Sequence, residues 1–224
     1  MTNEAIEKHF QESCALRGGF WAGIGKVDAD VIGHLINPAF MGGPRWPSMR
    51  QAFITVRMGT STIVASDGLS DPFDEPEDTE AESYNGFGLE FYVETSGNLD
   101  PVIGSWQFDV VWQMSQNAAQ AGNMQPLLKQ YKYLTTELYD VKAPKEFHND
   151  DGRIGVLLGL QSKTVSSNVA LSLETIDIVN VKLLTLKELQ YVVKFGKEGR
   201  DKLAELLMAQ ANPTYSDLGR KSVV

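Results

Sequence analysis

The chain has 224 residues, 29 acidic against 20 basic side chains, and 42% apolar residues. Those proportions fit an ordinary globular protein with one well-cored domain or two small ones, and no apolar run reaches the length of a membrane span. Glu4, Glu7 and Glu12 leave no basic-then-apolar leader, and the lone Cys14 excludes an internal disulfide framework, so the expected compartment is the cytoplasm.

In chain order, residues 3–16 read as a helix. Ala5, Ile6, Phe10, Cys14 and Leu16 form its apolar face, and Gly18-Gly19 end it. The Gly-, Pro- and aromatic-rich stretch 18–47 is irregular, with a short helical turn over Val31 to Leu35 and a loop at 42–47 in which Trp46 is expected to be partly exposed. Ala52–Met58 and Thr60–Ser66 alternate as strands around Gly59, a hairpin-type turn. Phe87, Leu89, Phe91 and Val93 alternate with Gly88, Glu90 and Tyr92, the period of a half-buried strand. Trp106–Ala121 is helical by the spacing of Trp106, Val110, Val111, Met114 and Ala118, and a second helix is expected from Pro126 to Tyr139. Ile154–Leu160 is a buried strand, and Val169–Ile178 and Val179–Leu184 are two more or one bent strand. Thr185 and Glu188 make a capping box for the last helix, broken near Gly196 and Gly199. Residues 213–224 are expected to be a flexible tail. The mixed order of elements predicts an α+β fold, a mixed, largely antiparallel sheet flanked by helices.

Charge is unevenly placed. Residues 58–128 hold twelve acids and no Lys or Arg, whereas the rest of the chain has 17 acids and 20 bases. A one-signed block repels phosphate backbones, so no nucleic-acid partner is expected, and no membrane partner either. Within that block Ser66-Asp67-Gly68-Leu69-Ser70-Asp71 is a tight turn after a strand. Residues 74–82 form an acidic loop, and Asn85-Gly86-Phe87-Gly88-Leu89-Glu90-Phe91 leads into the next strand.

These two blocks resemble the core signature of the Suppressor of fused (SUFU) family, in which a Gly-Leu-Ser-Asp turn precedes a Gly-Phe-Gly-(apolar)-Glu strand. Ile154–Leu160, Val179–Thr185 and the final helix resemble its C-terminal half. The likeness spans roughly residues 45–210. It implies a SUFU-like domain over 41–212, of the stand-alone bacterial type, with 1–40 as an unmatched N-terminal helix and extension. The second domain with which animal members close a clasp on an extended peptide is expected to have no counterpart here.

The resemblance implies a non-catalytic protein-binding module that sequesters a basic protein or extended peptide; bacterial relatives suggest an immunity protein against a toxin. Asp71, Asp74, Glu75, Glu77, Asp78, Tyr84 and Phe87 are the candidate partner-binding residues. Gly68, Leu69, Ser70, Gly86, Gly88 and Glu90 are the structural motif. A strand edge would supply backbone pairing while carboxylates select the partner's charge.

No catalytic, metal or cofactor site is expected. His9, His34 and His148 lack metal-ligand spacing, Ser70 lacks the glycine of a nucleophile elbow, and Gly23 to Lys26 is not a phosphate-binding loop. The alternative is a metal-assisted hydrolase in which Asp67, Asp71, Asp74 and Glu90 cluster around a divalent cation.

Overall fold

The computed structural model describes residues 3–30, 32–33, 36–47, 53–73 and 85–224. Helix α1 (Asn3–Ile24) runs through Gly18-Gly19 rather than stopping there. Two glycines cost a helix roughly 1 kcal/mol each, but Ser13, Arg17 and Trp21, four residues apart, are buried against the sheet and hold the helix past that point. Strands β1 (Lys26–Val27), β2 (Phe53–Arg57) and β3 (Ser61–Ser66) follow, with Gly59 turning the β2–β3 hairpin at φ +76° as expected. Val31, His34 and Leu35 lie outside the described residues, so the helical turn expected there is not described; Ile32 pairs with Phe53.

Strand β4 (Leu89–Ser96) starts two residues later than the alternation suggests, because Gly86 and Gly88 take positive φ and keep residues 85–88 in a turn. Helix α2 (Trp106–Ala121) has the predicted bounds and is capped by the Ser105 hydroxyl, which accepts from Phe108 N. Helix α3 (Met124–Tyr131) is shorter than expected. Lys132 turns to φ +64°, and Leu134-Thr-Thr-Glu-Leu138, with its two β-branched residues, becomes strand β5 (Leu134–Leu138) instead of more helix. Strands β6 (Ile154–Leu158), β7 (Asn168–Ala170) and β8 (Thr175–Leu183) precede α4 (Leu186–Met208), whose capping box forms and whose kink is at Gly196.

Among the described residues eight strands make one sheet in the order β1-β2-β3-β4-β8-β6-β5, with β7 also on β8. Of these described strands β4 and β8 run parallel and the other strand pairings are antiparallel, so the α+β architecture is as predicted. Helices α2 and α3 cover one face, over Phe53, Val64, Leu89, Phe91, Val93 and Val156. On the other face α1 covers Ile54, Val56, Ile63, Ala65 and Tyr92, and α4 covers Leu157 and Leu184. The 1–40 segment thus contributes a wall of the core. Strand β4 is covered on both faces, not half-buried, and its Glu90 and Glu94 are wholly enclosed. Trp46, expected near the surface, is 1% exposed and packs on Phe53 at 6.0 Å between ring centres.

The C-terminal residues are not a loose tail. The β4–β8 register ends at Tyr92 opposite Asn180, leaving strand groups that residues 214–217 complete. Ser216 N donates to Glu94 O (2.8 Å), the Thr214 hydroxyl donates to Glu94 Oε2 (3.0 Å), and Leu183 N donates to Ser216 Oγ (2.9 Å). Arg220 pairs with the buried Glu188 of the capping box and, with burial opposing it, helps hold that carboxyl below its ordinary range. Removing residues 213–224 is therefore expected to lower folding stability by about 3 kcal/mol or more, since two buried carboxylates lose partners. Urea denaturation measures this, and an unchanged midpoint would contradict it.

Candidate functional site

Both motif blocks meet at the end of β3. Glu90 leaves β4 on the face that α1 covers, and its carboxylate receives the turn that follows Ser66. Glu90 Oε1 accepts from the amides of Gly68 (3.0 Å) and Ser70 (2.9 Å) and from the Ser70 hydroxyl (2.6 Å). Ser66 Oγ donates to Oε2 and accepts from Phe91 N at 2.9 Å. The β3–β4 register ends at Ala65 opposite Tyr92, so one side chain satisfies backbone groups that strand pairing no longer reaches.

The second half of the clasp comes from α1. Arg17 is 2% exposed and spreads its guanidinium over the turn. Its Nε donates to Asp67 Oδ1, its Nη1 to Ser70 Oγ (2.9 Å) and its Nη2 to Asp71 Oδ1 (2.7 Å). Ser70 Oγ thus accepts from Arg17 and donates to Glu90. Burial acts against the charged guanidinium, but Asp67, Asp71 and Glu90 outweigh it and hold Arg17 well above its ordinary value. Burial is also the main influence on Glu90, raising it to about 7 against the pull of Arg17. Cys14, one helical turn before Arg17, is half-buried with its Sγ 3.8 Å from Asp71 Oδ1.

The Gly-Phe-Gly turn closes over this arrangement. Phe87 N donates to Leu69 O (2.8 Å), and a Cβ on Gly86 would lie 2.3 Å from Leu69 O and 2.5 Å from Asp71 O. Only glycine fits there, at φ +51°. Gly88 O accepts from the Gln125 side chain (2.8 Å) and from Asp177 N (3.0 Å), tying the turn to α3 and β8. Phe87 meets Phe73 edge to face at 5.4 Å, with the Arg45 guanidinium 4.6 Å from the Phe73 ring centre.

No family model matches the sequence, and no curated protein does. Solved structures do match. A chain of the Sufu-Fu complex crystal structure superposes with a TM-score of 0.54 at 13% identity, covering 96% of this chain and 92% of that one. The crystal structure of Drosophila Suppressor of Fused gives a TM-score of 0.47 at 14% identity, covering 73% of this chain and 39% of that one. The fold is SUFU-like.

Within this SUFU-like fold, the residues named as structural motif come together: Leu69 is in the core, Ser70 and Glu90 are bonded, and Gly86 and Gly88 form the turn beside them. Among the candidate partner-binding residues, Asp71 is wholly buried on Arg17, which corrects its expected place on the binding surface. Taking that carboxylate away from the guanidinium 2.7 Å from it would leave buried charge unpaired, a costly change. Phe87 is half-buried at the mouth of the turn. Asp74, Glu75, Glu77, Asp78 and Tyr84 lie outside the described residues, which resume at the buried Asn85. Sequence reading missed Arg17. Its signal was spacing: Ser13, Arg17 and Trp21 share a helical stripe, and a basic residue on a buried stripe needs carboxylate partners.

Proposed function

We propose that this chain is a non-catalytic protein-binding module that sequesters a basic protein or extended peptide, and that its use is that of an immunity protein against a toxin. One observation carries the reading. Asp67, Asp71 and Glu90 are committed to Arg17 and to the turn, so of the motif and the loop after it the acids proposed to meet a partner are those of residues 74–82. That stretch has six acids and no base, and it follows a turn whose backbone is fixed on both sides. A rigid base bearing a one-signed segment suits selection of a basic surface by charge. A chain of this fold is found in the Sufu-Fu complex, which supports a protein partner.

The hydrolase alternative loses its support for the same reason. Three of its four carboxylates face a guanidinium where a divalent cation would sit, and no group of three His, Cys, Asp or Glu among the described residues is placed to hold a metal.

Co-purification of the tagged protein from its native cells tests the proposal, run beside a variant with Asp74, Glu75, Glu77 and Asp78 changed to Lys. The expected result is one stoichiometric basic protein with the parent and none with the variant; a toxin encoded next to it makes this an immunity protein. An acidic partner, or one retained equally by the variant, overturns the reading.

A further inference from the structure

Side chains alternate across β8. Val179, Val181 and Leu183 enter the core beneath α2, while Ile178 and Leu184 belong to the opposite face, and the strand period puts Asn180 and Lys182 in that same row. Lys182 is 2% exposed, and a lysine so enclosed is normally paired with a carboxylate. Here its amine donates to Tyr215 O and, among the described residues, forms no ion pair. The groups that face it are Tyr215, Asp217, Arg220 and Lys221 of the C-terminal segment, Glu188 at the start of α4 and Glu94 of β4. Each of those carboxylates is engaged elsewhere. Asp217 accepts from Ser96 N (3.0 Å) and the Ser96 hydroxyl (2.7 Å), Glu188 holds Arg220, and Glu94 accepts from Thr214 and Ser61. Burial, with Arg220 adding to it, lowers the Lys182 amine to about 7.

Lys182 also lines a cavity of about 510 Å³ between the end of α4 and the segment that follows it. Leu206, Leu207 and Val223 give this cavity an apolar wall. Arg220 lines it too, and its Nε has no acceptor, because Nη1 and Nη2 are spent on Glu188 and on Leu183 O (2.9 Å). Two enclosed cationic side chains, each short of an acceptor, thus share one cavity with an apolar wall, and its single acid, Asp217, is already bonded to β4. A cationic ligand would add charge beside an unpaired amine, and a neutral one would leave that amine unpaired. An oxyanion carried on an apolar body completes both halves of the site.

We propose that this cavity binds a small aliphatic carboxylate, with the carboxylate on the Lys182 amine and the apolar body against Leu206, Leu207 and Val223. The site does not rest on the reading of the acidic loop. The bound anion holds Lys182 in its charged form, so binding takes up a proton wherever the free amine is neutral. The probe is 4-methylpentanoate, with 4-methylpentanamide as its uncharged match and inorganic phosphate as a bare oxyanion. Isothermal titration near neutral pH should show the acid binding below about 1 mM and the amide at least about tenfold more weakly. Affinity for the acid should fall about tenfold from about pH 6 to about pH 8, as the share of protein with a charged Lys182 falls. Titrations in two buffers of different ionisation enthalpy should give about one proton taken up near pH 8 and almost none near pH 6. Lys182→Met puts an apolar side chain of similar length in place of the unpaired amine. It should keep a thermal midpoint at or above the parent's and weaken the acid by about tenfold or more. Equal binding of acid and amide, no binding of the acid, phosphate bound more tightly than the acid, or binding without proton uptake overturns the proposal. So does full affinity in the folded Lys182→Met variant; if that variant does not fold, proton uptake by the parent decides.

Discussion

Arg17→Ala is expected to destabilise the protein by about 3–5 kcal/mol at neutral pH, enough to threaten the fold of a typical domain. The guanidinium is the shared partner of Asp67, Asp71 and, at 3.9 Å, Glu90, and all but Asp67 are wholly buried. Removing it leaves like charges facing one another away from water, and the cost falls as acid neutralises them. Urea denaturation should therefore show a smaller difference between variant and parent near pH 5 than near pH 8. Arg17→Lys should rescue little, since an ammonium cannot present the three directed N–H groups that reach Asp67, Ser70 and Asp71. A fully stable alanine variant would mean that the turn holds itself.

Glu90 separates hydrogen bonding from charge. In Glu90→Ala the amides of Gly68 and Ser70 and the hydroxyls of Ser66 and Ser70 lose their acceptor, a loss of about 4 kcal/mol or more. Glu90→Gln keeps an acceptor toward Gly68 and Ser70 and offers a donor to Ser66, so it should remain folded. Its signature is in the pH dependence. Burial raises Glu90 from 4.5 to about 7, so between those values the folded protein keeps a proton that the unfolded chain has released. The stability from this group is complete below the unfolded value and is lost as pH rises through about 7. The parent should therefore lose about 3 kcal/mol more than Glu90→Gln between about pH 4 and pH 8. Parallel stability curves for the two proteins would show that Glu90 stays ionised throughout the range.

The parts of this fold that were legible in the sequence are those governed by local pattern. Trp106–Ala121 has the right period and a serine cap, and Thr185 with Glu188 forms the capping box it announces. The motif glycines mark a real turn because their backbone requirement is local. What was not legible depends on distant partners. Gly18-Gly19 do not end α1, because Trp21 beyond them is buried under the sheet. Residues 134–138 are strand because β6 offers an edge, and the preceding helical pattern gives no hint of it. Residues 214–217 look loose until β4 and β8 end their pairing and need them. At the site, Asp67, Asp71 and Glu90 gather around Arg17, Asp74 lies outside the described residues, and sequence spacing supplied no counter-charge. Arg17 lies 50 residues from Asp67 and 54 from Asp71 in sequence.

Two sets of carboxylates follow from this. Asp67, Asp71 and Glu90 hold the turn on Arg17, and the acids of residues 74–82 are proposed to meet the partner. The central claim is that stability and capture can be changed separately. Its most direct test is one calorimetric scan and one salt-dependent binding curve on the variant with Asp74, Glu75, Glu77 and Asp78 changed to Lys, using the partner captured by the parent. The thermal midpoint should match the parent, while affinity falls and loses its salt dependence. A lowered midpoint with affinity intact would assign the loop acids to the fold and leave the partner surface elsewhere.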